Sequence, residues 1–283
     1  MKKQLRIIPV IFFLILIAYI ANNSTMIHAT HSYTGKYVSI LGDSISTYTG
    51  WIPEQNAVYY TGQISDVSSV NETWWMKSIK KLDMNLCINN SWSGSRVTAT
   101  VSAASSGCVR RCVNLHTETL TPDVIIVYMG INDFDHNVPI GFYNGMENTS
   151  TSTMTFREAY ALMLKKITTV YPEAEVFVCT LPYSNGAKTR RRLVTRNKAG
   201  ETLLNYNSAI KDLAKHFQVG LIDFAECGIT SENMHLYLGD YSAETDYGLH
   251  PNKYGHALLS DMVVSTLCPH LGRYSKPIAP RDK

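Results

Sequence analysis

The sequence predicts an α/β fold built on a five-stranded parallel sheet. Short apolar segments rich in β-branched residues alternate with longer segments whose apolar residues recur at helical spacing. That alternation is typical of parallel strands joined by crossover helices. The chain has 283 residues, 45% of them hydrophobic and 17% charged, so it can bury a sizeable core. Because no repeat, linker or break in composition divides it, we expect residues 30–283 to form one domain.

The predicted elements follow one another in a regular order. Strands are expected at residues 37–41, 84–89, 123–129, 175–181 and 219–224. Helices are expected at residues 71–82, 155–171, 201–217 and 254–267. An open parallel sheet binds its ligands beyond the carboxyl ends of the strands. Functional residues should therefore come directly after the strands.

The N-terminus has the pattern of an export signal. Lys2, Lys3 and Arg6 precede an uncharged apolar run over residues 7–21. Cleavage after Ala29 fits this pattern, except that Ile27 stands where a small residue is preferred, so an uncleaved membrane anchor is the alternative. We predict that residues 1–29 are a signal peptide or an N-terminal anchor. The protein is then secreted, periplasmic or tethered at the cell surface.

The balance of charge argues against nucleic acid as a partner. The chain carries 26 Lys and Arg against 23 Asp and Glu, and residues 1–29 hold three basic and no acidic side chains, which leaves 26 − 3 = 23 basic groups against 23. A neutral mature chain has no global attraction to nucleic acid or to an acidic membrane. A basic run, with Lys and Arg side chains between Lys188 and Lys198, follows the fourth strand. Such a run is most often a solvated face, and alternatively it attracts an anionic glycan.

Six cysteines in an exported chain permit disulfides without requiring them. Cys87 and Cys179 fall in predicted strands and are expected to be buried thiols. Cys108, Cys112 and His116 would share one helical face, which leaves a disulfide, a partial metal site or neither. Because no fourth ligand stands at the usual zinc spacings, we predict no metal and no cofactor.

Four short blocks at the ends of predicted elements carry the chemistry. Residues 42–44 read Gly-Asp-Ser, residues 93–95 read Ser-Gly-Ser, residues 130–133 read Gly-Ile-Asn-Asp, and residues 250–251 read His-Pro. Together and in this order they resemble the SGNH (GDSL-type) hydrolases, a family of esterases and lipases on a three-layer α/β/α flavodoxin-like fold. The resemblance spans nearly all of the mature chain. It implies ester hydrolysis by a serine nucleophile.

The resemblance implies a role for one residue in each block. Ser44 matches the nucleophile and His250 its base, while Gly94 and Asn132, with the main-chain N–H of Ser44, match the oxyanion hole. Residue chemistry agrees with these roles. A serine hydroxyl needs a base to take its proton, and histidine titrates at about pH 6.5 in water. A glycine has no Cβ to keep substrate from its main chain.

The third member of a catalytic triad is not in its usual place. In the family an aspartate usually lies three residues before the histidine, and this chain has Tyr247 there. We predict that Asp246, one residue earlier, orients His250. The alternative is a Ser–His dyad in which Glu244 or a main-chain carbonyl does so.

The substrate is less well defined than the reaction. Trp51, Trp92 and Phe134 are candidate substrate-binding aromatics near the site, although aromatic residues are more often core. Asp133 is expected to hold its own loop by local hydrogen bonds and Asp43 to brace the Ser44 turn, while His256 is expected to be structural. We predict an exported, metal-independent serine esterase that acts on a small-molecule or polysaccharide ester, most simply a carbohydrate O-acetylesterase. The alternatives are a lipase, lysophospholipase or thioesterase of the same family, or a glycan-binding domain without activity.

Overall fold

The computed structural model describes residues 33–143, 153–185, 196–244 and 247–269. These residues form a sheet of five strands in the order β2-β1-β3-β4-β5, with every neighbouring pair parallel. The strands are β1 Tyr37–Gly42, β2 Asn85–Asn89, β3 Val124–Tyr128, β4 Glu175–Cys179 and β5 Gly220–Ile222. This strand order is that of the flavodoxin-like fold, so the predicted fold class is confirmed.

Six α-helices lie in the same residues and cover the sheet. They are α1 Trp74–Lys81, α2 Ile131–Asp135, α3 Phe156–Val170, α4 Leu203–Phe217, α5 Met234–Tyr237 and α6 Lys253–Leu267. The four long ones confirm the predicted helices, whereas the short α2 and α5 were not expected. The chain moves one way across the sheet from β1 to β2 and the other way from β3 to β5, so right-handed crossovers place α1 on one face and α3 and α4 on the other. Helix α6 packs on α1, which completes three layers.

The core is densest around the middle strand. All five residues of β3 are buried, as expected for a central parallel strand with both faces covered. Trp74 of α1, Tyr128 of β3 and Phe224 after β5 are fully buried and meet edge to face, with ring centroids 4.9 to 5.9 Å apart. Aromatic pairs prefer this geometry, and these three tie α1 to the sheet.

The cysteine cluster differs from its prediction. Residues 108–113 form turns and a 3-10 helix, Arg111–Val113, so Cys108, Cys112 and His116 do not share an α-helical face. Within this segment Arg111 turns inward and donates to main-chain carbonyls. The cysteines are free thiols in this structure, and Cys87 and Cys179 are buried in strands as predicted.

The predicted export segment, residues 1–29, lies outside the described residues. None of the helices in the described ranges is both long enough and apolar enough to cross a bilayer.

Candidate active site

Ser44 lies on a tight turn at the carboxyl end of β1. The strand ends at Gly42, and Ser44 begins a 3-10 turn, Ser44–Ser46. A Cβ on Gly42 would lie 2.5 Å from the Cβ of Ser46, so only glycine fits there. Asp43 caps the turn, because its Oδ1 accepts from the N–H of Ile45 at 3.0 Å. This confirms that Asp43 braces the turn, and it fixes where the Ser44 hydroxyl stands.

His250 lies within hydrogen-bond distance of Ser44. Its Nε2 is 2.9 Å from Ser44 Oγ, although the two residues are 206 positions apart in the chain. The start of helix α6 sets the position of His250, because Asn252 caps that helix by accepting from the N–H groups of Tyr254 and Gly255. The structure thus brings the predicted nucleophile and the predicted base together.

The carboxylate on the far side of the imidazole belongs to Asp240. Its Oδ2 is 2.7 Å from His250 Nδ1, and its Oδ1 accepts from the N–H groups of Leu249 and His250 at 2.9 Å each. Burial on its own raises the pKa of Asp240. The hydrogen bond and charge of His250, with the two main-chain N–H groups, outweigh burial and bring that pKa below its ordinary value. Asp240 is therefore a carboxylate that keeps the proton on Nδ1 and leaves Nε2 free to accept from Ser44.

Asp246, the predicted orienting residue, lies outside the described residues. The alternative dyad is wrong, because a carboxylate does contact His250 Nδ1. Glu244 is exposed to solvent.

A hairpin explains how a residue ten positions earlier reaches His250. Antiparallel bridges pair Leu238 with Pro251 and Ser242 with Tyr247, and the N–H of Gly239 donates to the carbonyl of His250 at 2.8 Å. This pairing brings Asp240 back against Leu249 and His250. A search for an aspartate at a fixed short spacing from the histidine misses it. The signal available in the sequence was a second aspartate before His250, at residue 240.

The predicted oxyanion residues are tied to the nucleophile turn. The N–H of Trp92 donates to the carbonyl of Gly42 at 3.2 Å, and Asn132 Nδ2 donates to the carbonyl of Ser95 at 2.9 Å. Gly94 lies between Trp92 and Ser95 in the chain. It has φ +74°, and no atom lies within 4 Å of an added Cβ, so its main chain is open to approach. An amide nitrogen has two N–H bonds, and the bond to Ser95 uses one of them. The second is available for a developing negative charge.

Asp133 braces the loop that carries Gly94. Its carboxylate accepts from the N–H groups of Val97 and Thr98 at 2.8 and 3.1 Å and from the Thr98 hydroxyl at 2.7 Å. Burial raises the pKa of Asp133 to about 6, and these hydrogen bonds oppose the rise. Asp133, next to Asn132 in α2, therefore holds a loop 35 or 36 positions away, which differs from the local hydrogen bonds expected from the sequence.

Arg111 is a buried cation beneath the nucleophile turn that the sequence did not reveal. It is 4% exposed. Its guanidinium donates to four acceptors, which are the carbonyls of Gly42, Asn90 and Ser105 and the hydroxyl of Ser95. Burial lowers its pKa to about 9, and the charge of Asp43 opposes that change. Burial likewise raises the pKa of Asp43 to about 7, against the pull of the Ile45 N–H and of Arg111.

The aromatic candidates differ in where they lie. Phe134 is wrong as a substrate-binding residue, because it is 4% exposed and packs edge to face on Tyr206, so it belongs to the core. Trp51 is 42% exposed and lies 6.2 Å from the ring of Trp75, and Trp92 is half-buried. Of the basic run, residues 186–195 lie outside the described residues, and the Arg196 guanidinium donates to the carbonyl of Gly200. The described residues contain no group of three or more His, Cys, Asp or Glu placed to hold a metal.

A parallel α/β sheet with a serine, a histidine and an aspartate in hydrogen-bond contact at its strand ends is typical of the serine hydrolases. The model of the GDSL-like lipase/acylhydrolase family matches residues 36–196, which is more than half of the chain. The chain belongs to this family, whose members are generally ester hydrolases.

Solved structures agree with the family assignment. A protein from Bacteroides ovatus, provisionally designated a GDSL-like lipase, is 26% identical with a TM-score of 0.60, over 81% of this chain and 96% of that one. A second so designated, from Bacteroides uniformis, is 26% identical with a TM-score of 0.59, over 83% and 96%. A Lactobacillus plantarum protein shares the fold at 19% identity and a TM-score of 0.59, over 84% and 98%. No curated protein matches the chain significantly.

Proposed function

We propose that this chain is an exported serine esterase that removes acetyl or another short acyl group from a carbohydrate. The observation that supports the reaction type is the hydrogen-bonded series of Asp240, His250 and Ser44, with contacts of 2.7 and 2.9 Å. A catalytic nucleophile and its base have to stand at this distance, with a third group orienting the base.

In the proposed reaction, Ser44 Oγ attacks the ester carbonyl carbon while its proton passes to His250 Nε2. Asp240 holds the proton on Nδ1 and stabilises the imidazolium that forms. The carbonyl oxygen becomes negative and accepts from the main-chain N–H groups of Gly94 and Ser44 and from the amide of Asn132. These donors are fixed before reaction, so little reorganisation is needed as charge develops.

The tetrahedral intermediate then collapses. His250 returns the proton to the leaving alcohol, and the acyl group remains on Ser44. A water molecule, giving its proton to His250, attacks the acyl-enzyme and releases the carboxylic acid. The proton returns to Ser44 Oγ, which restores the resting state.

Two features favour a short acyl group on a sugar. Ser44 and His250 are 4% and 7% exposed, so little of the nucleophile is open to solvent, which favours a small acyl group over a bulky one. The exposed ring of Trp51 offers an aromatic face of the kind on which sugar rings stack. The predicted export signal would also bring the enzyme to polysaccharides outside the cell.

The test is hydrolysis of p-nitrophenyl acetate, butyrate and octanoate, together with acetate release from acetylated xylan. We expect the acetyl esters to react fastest and Ser44→Ala to lower turnover by at least about 10³-fold. Ser265→Ala, at an exposed position of α6, is the matched control and should keep wild-type rates.

Each alternative has its own outcome. Equal rates for the wild type and Ser44→Ala on every ester would contradict the esterase and leave a glycan-binding domain. Ser44-dependent release of fatty acid from lysophospholipid, at rates that rise with the length of the acyl chain, would mean that the substrate is a lipid and not a carbohydrate. Ser44-dependent turnover confined to acyl thioesters would make the chain a thioesterase.

A further inference from the structure

Tyr59 lies flat against the imidazole of His250. The two ring centroids are 3.6 Å apart, and the planes make an angle of 11°. The far end of the tyrosine is held as well, because its hydroxyl is 3.3 Å from Ser65 Oγ. Ser44 and Asp240 hold the imidazole at its two nitrogens, and Tyr59 covers one of its faces.

The main chain of Tyr59 also reaches the nucleophile turn. Its N–H donates to Thr47 Oγ1 at 2.9 Å, and the Thr47 hydroxyl donates to the carbonyl of Ser44 at 2.9 Å. Tyr59 therefore contacts the base through its ring and the nucleophile through Thr47. With the contact between Ser44 and His250, these residues form a closed ring of interactions. A shift of Ser44 relative to His250 would break at least one of these interactions.

The neighbouring Tyr60 anchors this arrangement. It is fully buried, its ring meets Tyr59 edge-on at 4.8 Å, and its hydroxyl donates to the carbonyl of Pro251 at 2.8 Å. The residue after His250 is thereby fixed to the residue after Tyr59. The stack between Tyr59 and His250 is held from both segments.

We infer that Tyr59 is a positioning residue whose ring holds His250 against Ser44 and stabilises the imidazolium formed during turnover, an inference that rests on the function proposed above. The face of a tyrosine ring is electron-rich and attracts a cation more strongly than a neutral group. When the Ser44 proton reaches Nε2, the cation forms directly against that face. The stabilisation is therefore gained in the transition state, and it enters kcat rather than KM.

Replacing the Tyr59 side chain tests the ring alone, because the contacts of His250 with Asp240 and Ser44, and the main-chain bond from Tyr59 to Thr47, do not involve it. The titratable groups that face His250 from the hairpin, from the Tyr59 segment and from α6 are Asp240, Tyr60 and His256. Tyr247 acts on Asp240 and Tyr59, both of which contact His250. Leucine keeps apolar cover over the imidazole but has no π face, so the desolvation of His250 changes little. Phenylalanine keeps the face and loses only the hydroxyl.

The experiment compares Tyr59→Leu with Tyr59→Phe in the full chain, on p-nitrophenyl acetate. We expect Tyr59→Leu to lower kcat by about five- to thirtyfold with KM within about twofold, and Tyr59→Phe to stay within about twofold in both. Without the ring face the imidazolium is less stable, so His250 loses its proton more easily. The midpoint of the acidic limb of kcat/KM should therefore move to lower pH by about 0.5 unit or more in Tyr59→Leu.

Urea unfolding of each variant establishes that it is folded, and Tyr59→Met is the second variant without a ring. A Tyr59→Leu enzyme with wild-type kcat and an unmoved pH midpoint would overturn the inference. So would a loss confined to KM, or a loss in Tyr59→Phe as large as in Tyr59→Leu, since the ring face would then have no part in it.

An NMR titration of the His250 ring protons gives the same comparison without turnover. A lower midpoint in Tyr59→Leu than in Tyr59→Phe supports the role of the ring, and equal midpoints overturn it. If the wild type and Ser44→Ala show equal rates, the esterase proposal fails by itself, and the NMR midpoints still decide the role of Tyr59.

Discussion

The two halves of the site are held by different kinds of interaction. On the nucleophile side, a buried guanidinium, that of Arg111, binds the carbonyls beneath the Ser44 turn and the loop of Gly94. On the base side, a hairpin folds Asp240 onto His250, and an aromatic ring covers the imidazole. Ser44 is thus positioned by the end of strand β1, whereas His250 is positioned by a hairpin and by the ring that covers it.

The difference extends to the buried ionisable groups. The nucleophile side contains a charged arginine and the carboxyl of Asp43, whose pKa values burial moves to about 9 and about 7. The base side is fastened to the helix layer by His256, whose pKa burial lowers to about 3. Its Nδ1 accepts from the N–H of Trp74 at 3.1 Å, so α6, which follows His250, is fixed to the first residue of α1. The nucleophile side thus has a buried guanidinium beneath its turn, whereas the base side has the Asp240 carboxylate beside His250 and the neutral His256 beneath it.

The largest effect is expected where the base side meets the reaction. Asp240→Asn should lower kcat by about 10³- to 10⁴-fold. The asparagine oxygen can still accept from the N–H groups of Leu249 and His250, which turns its NH₂ group toward Nδ1. The imidazole is then held with its proton on Nε2 and cannot accept from Ser44. Turnover of p-nitrophenyl acetate measures the loss.

Asp246→Asn is the matched control for that experiment, and we expect it to stay near wild type. If Asp246→Asn lost as much activity as Asp240→Asn, the orienting role would be shared, and the hairpin would not explain the base side by itself.

The nucleophile side should respond mainly in stability. Arg111→Met removes the charged donor from four acceptors; the Gly42 carbonyl keeps the N–H of Trp92, and each buried group left unsatisfied costs about 1–3 kcal/mol. We expect the free energy of unfolding to fall by at least about 3 kcal/mol. Urea denaturation checks this, with the exposed neighbour Arg110→Met expected within about 0.5 kcal/mol of wild type. Equal stability of the two variants would show that the buried cation does not hold this half together.

The smallest effect concerns pH and the neutral histidine. His256 has a pKa of about 3 in the folded chain against 6.5 for an ordinary histidine, so between these values the unfolded chain binds a proton that the folded chain does not. Its contribution to stability is complete above about pH 6.5 and is lost as the pH falls toward 3. When the pH is lowered from 7 to 5, the unfolding free energy of the wild type should therefore fall by about 2 kcal/mol more than that of His256→Gln.

Urea unfolding at the two pH values measures that difference, with the exposed His235→Gln as control. A wild-type loss as small as that of His256→Gln would mean that the histidine is not held neutral, and the contrast between the two sides would disappear.

The parts of the site that could be predicted are those fixed by local geometry. Ser44, Gly94 and Asn132 each come after a strand of a parallel sheet, and such a sheet gathers the loops at the carboxyl ends of its strands along one edge. His250 precedes a helix whose pattern was clear. The strands were equally readable, because β3 is buried on both faces and shows a continuous apolar run.

The residues that escaped prediction depend on contacts that have no sequence period. Asp240 reaches His250 only because the chain pairs back on itself at Leu238 and Pro251. Arg111 is in the core because four acceptors surround it, whereas an arginine in a sequence is ordinarily read as exposed. Phe134 was misassigned for the opposite reason: its place beside Asn132 indicated a cleft, while helix α2 turns it inward.

The distance of 206 positions between Ser44 and His250 has a consequence for synthesis. At about 5–20 residues per second, the ribosome makes the base some 10–40 seconds after the nucleophile. Throughout that interval Ser44 lacks His250, the group that would take its proton, so the proposed reaction has no base in the incomplete chain. The proposed activity can therefore appear only after His250 and the helix that follows it, α6, have been made.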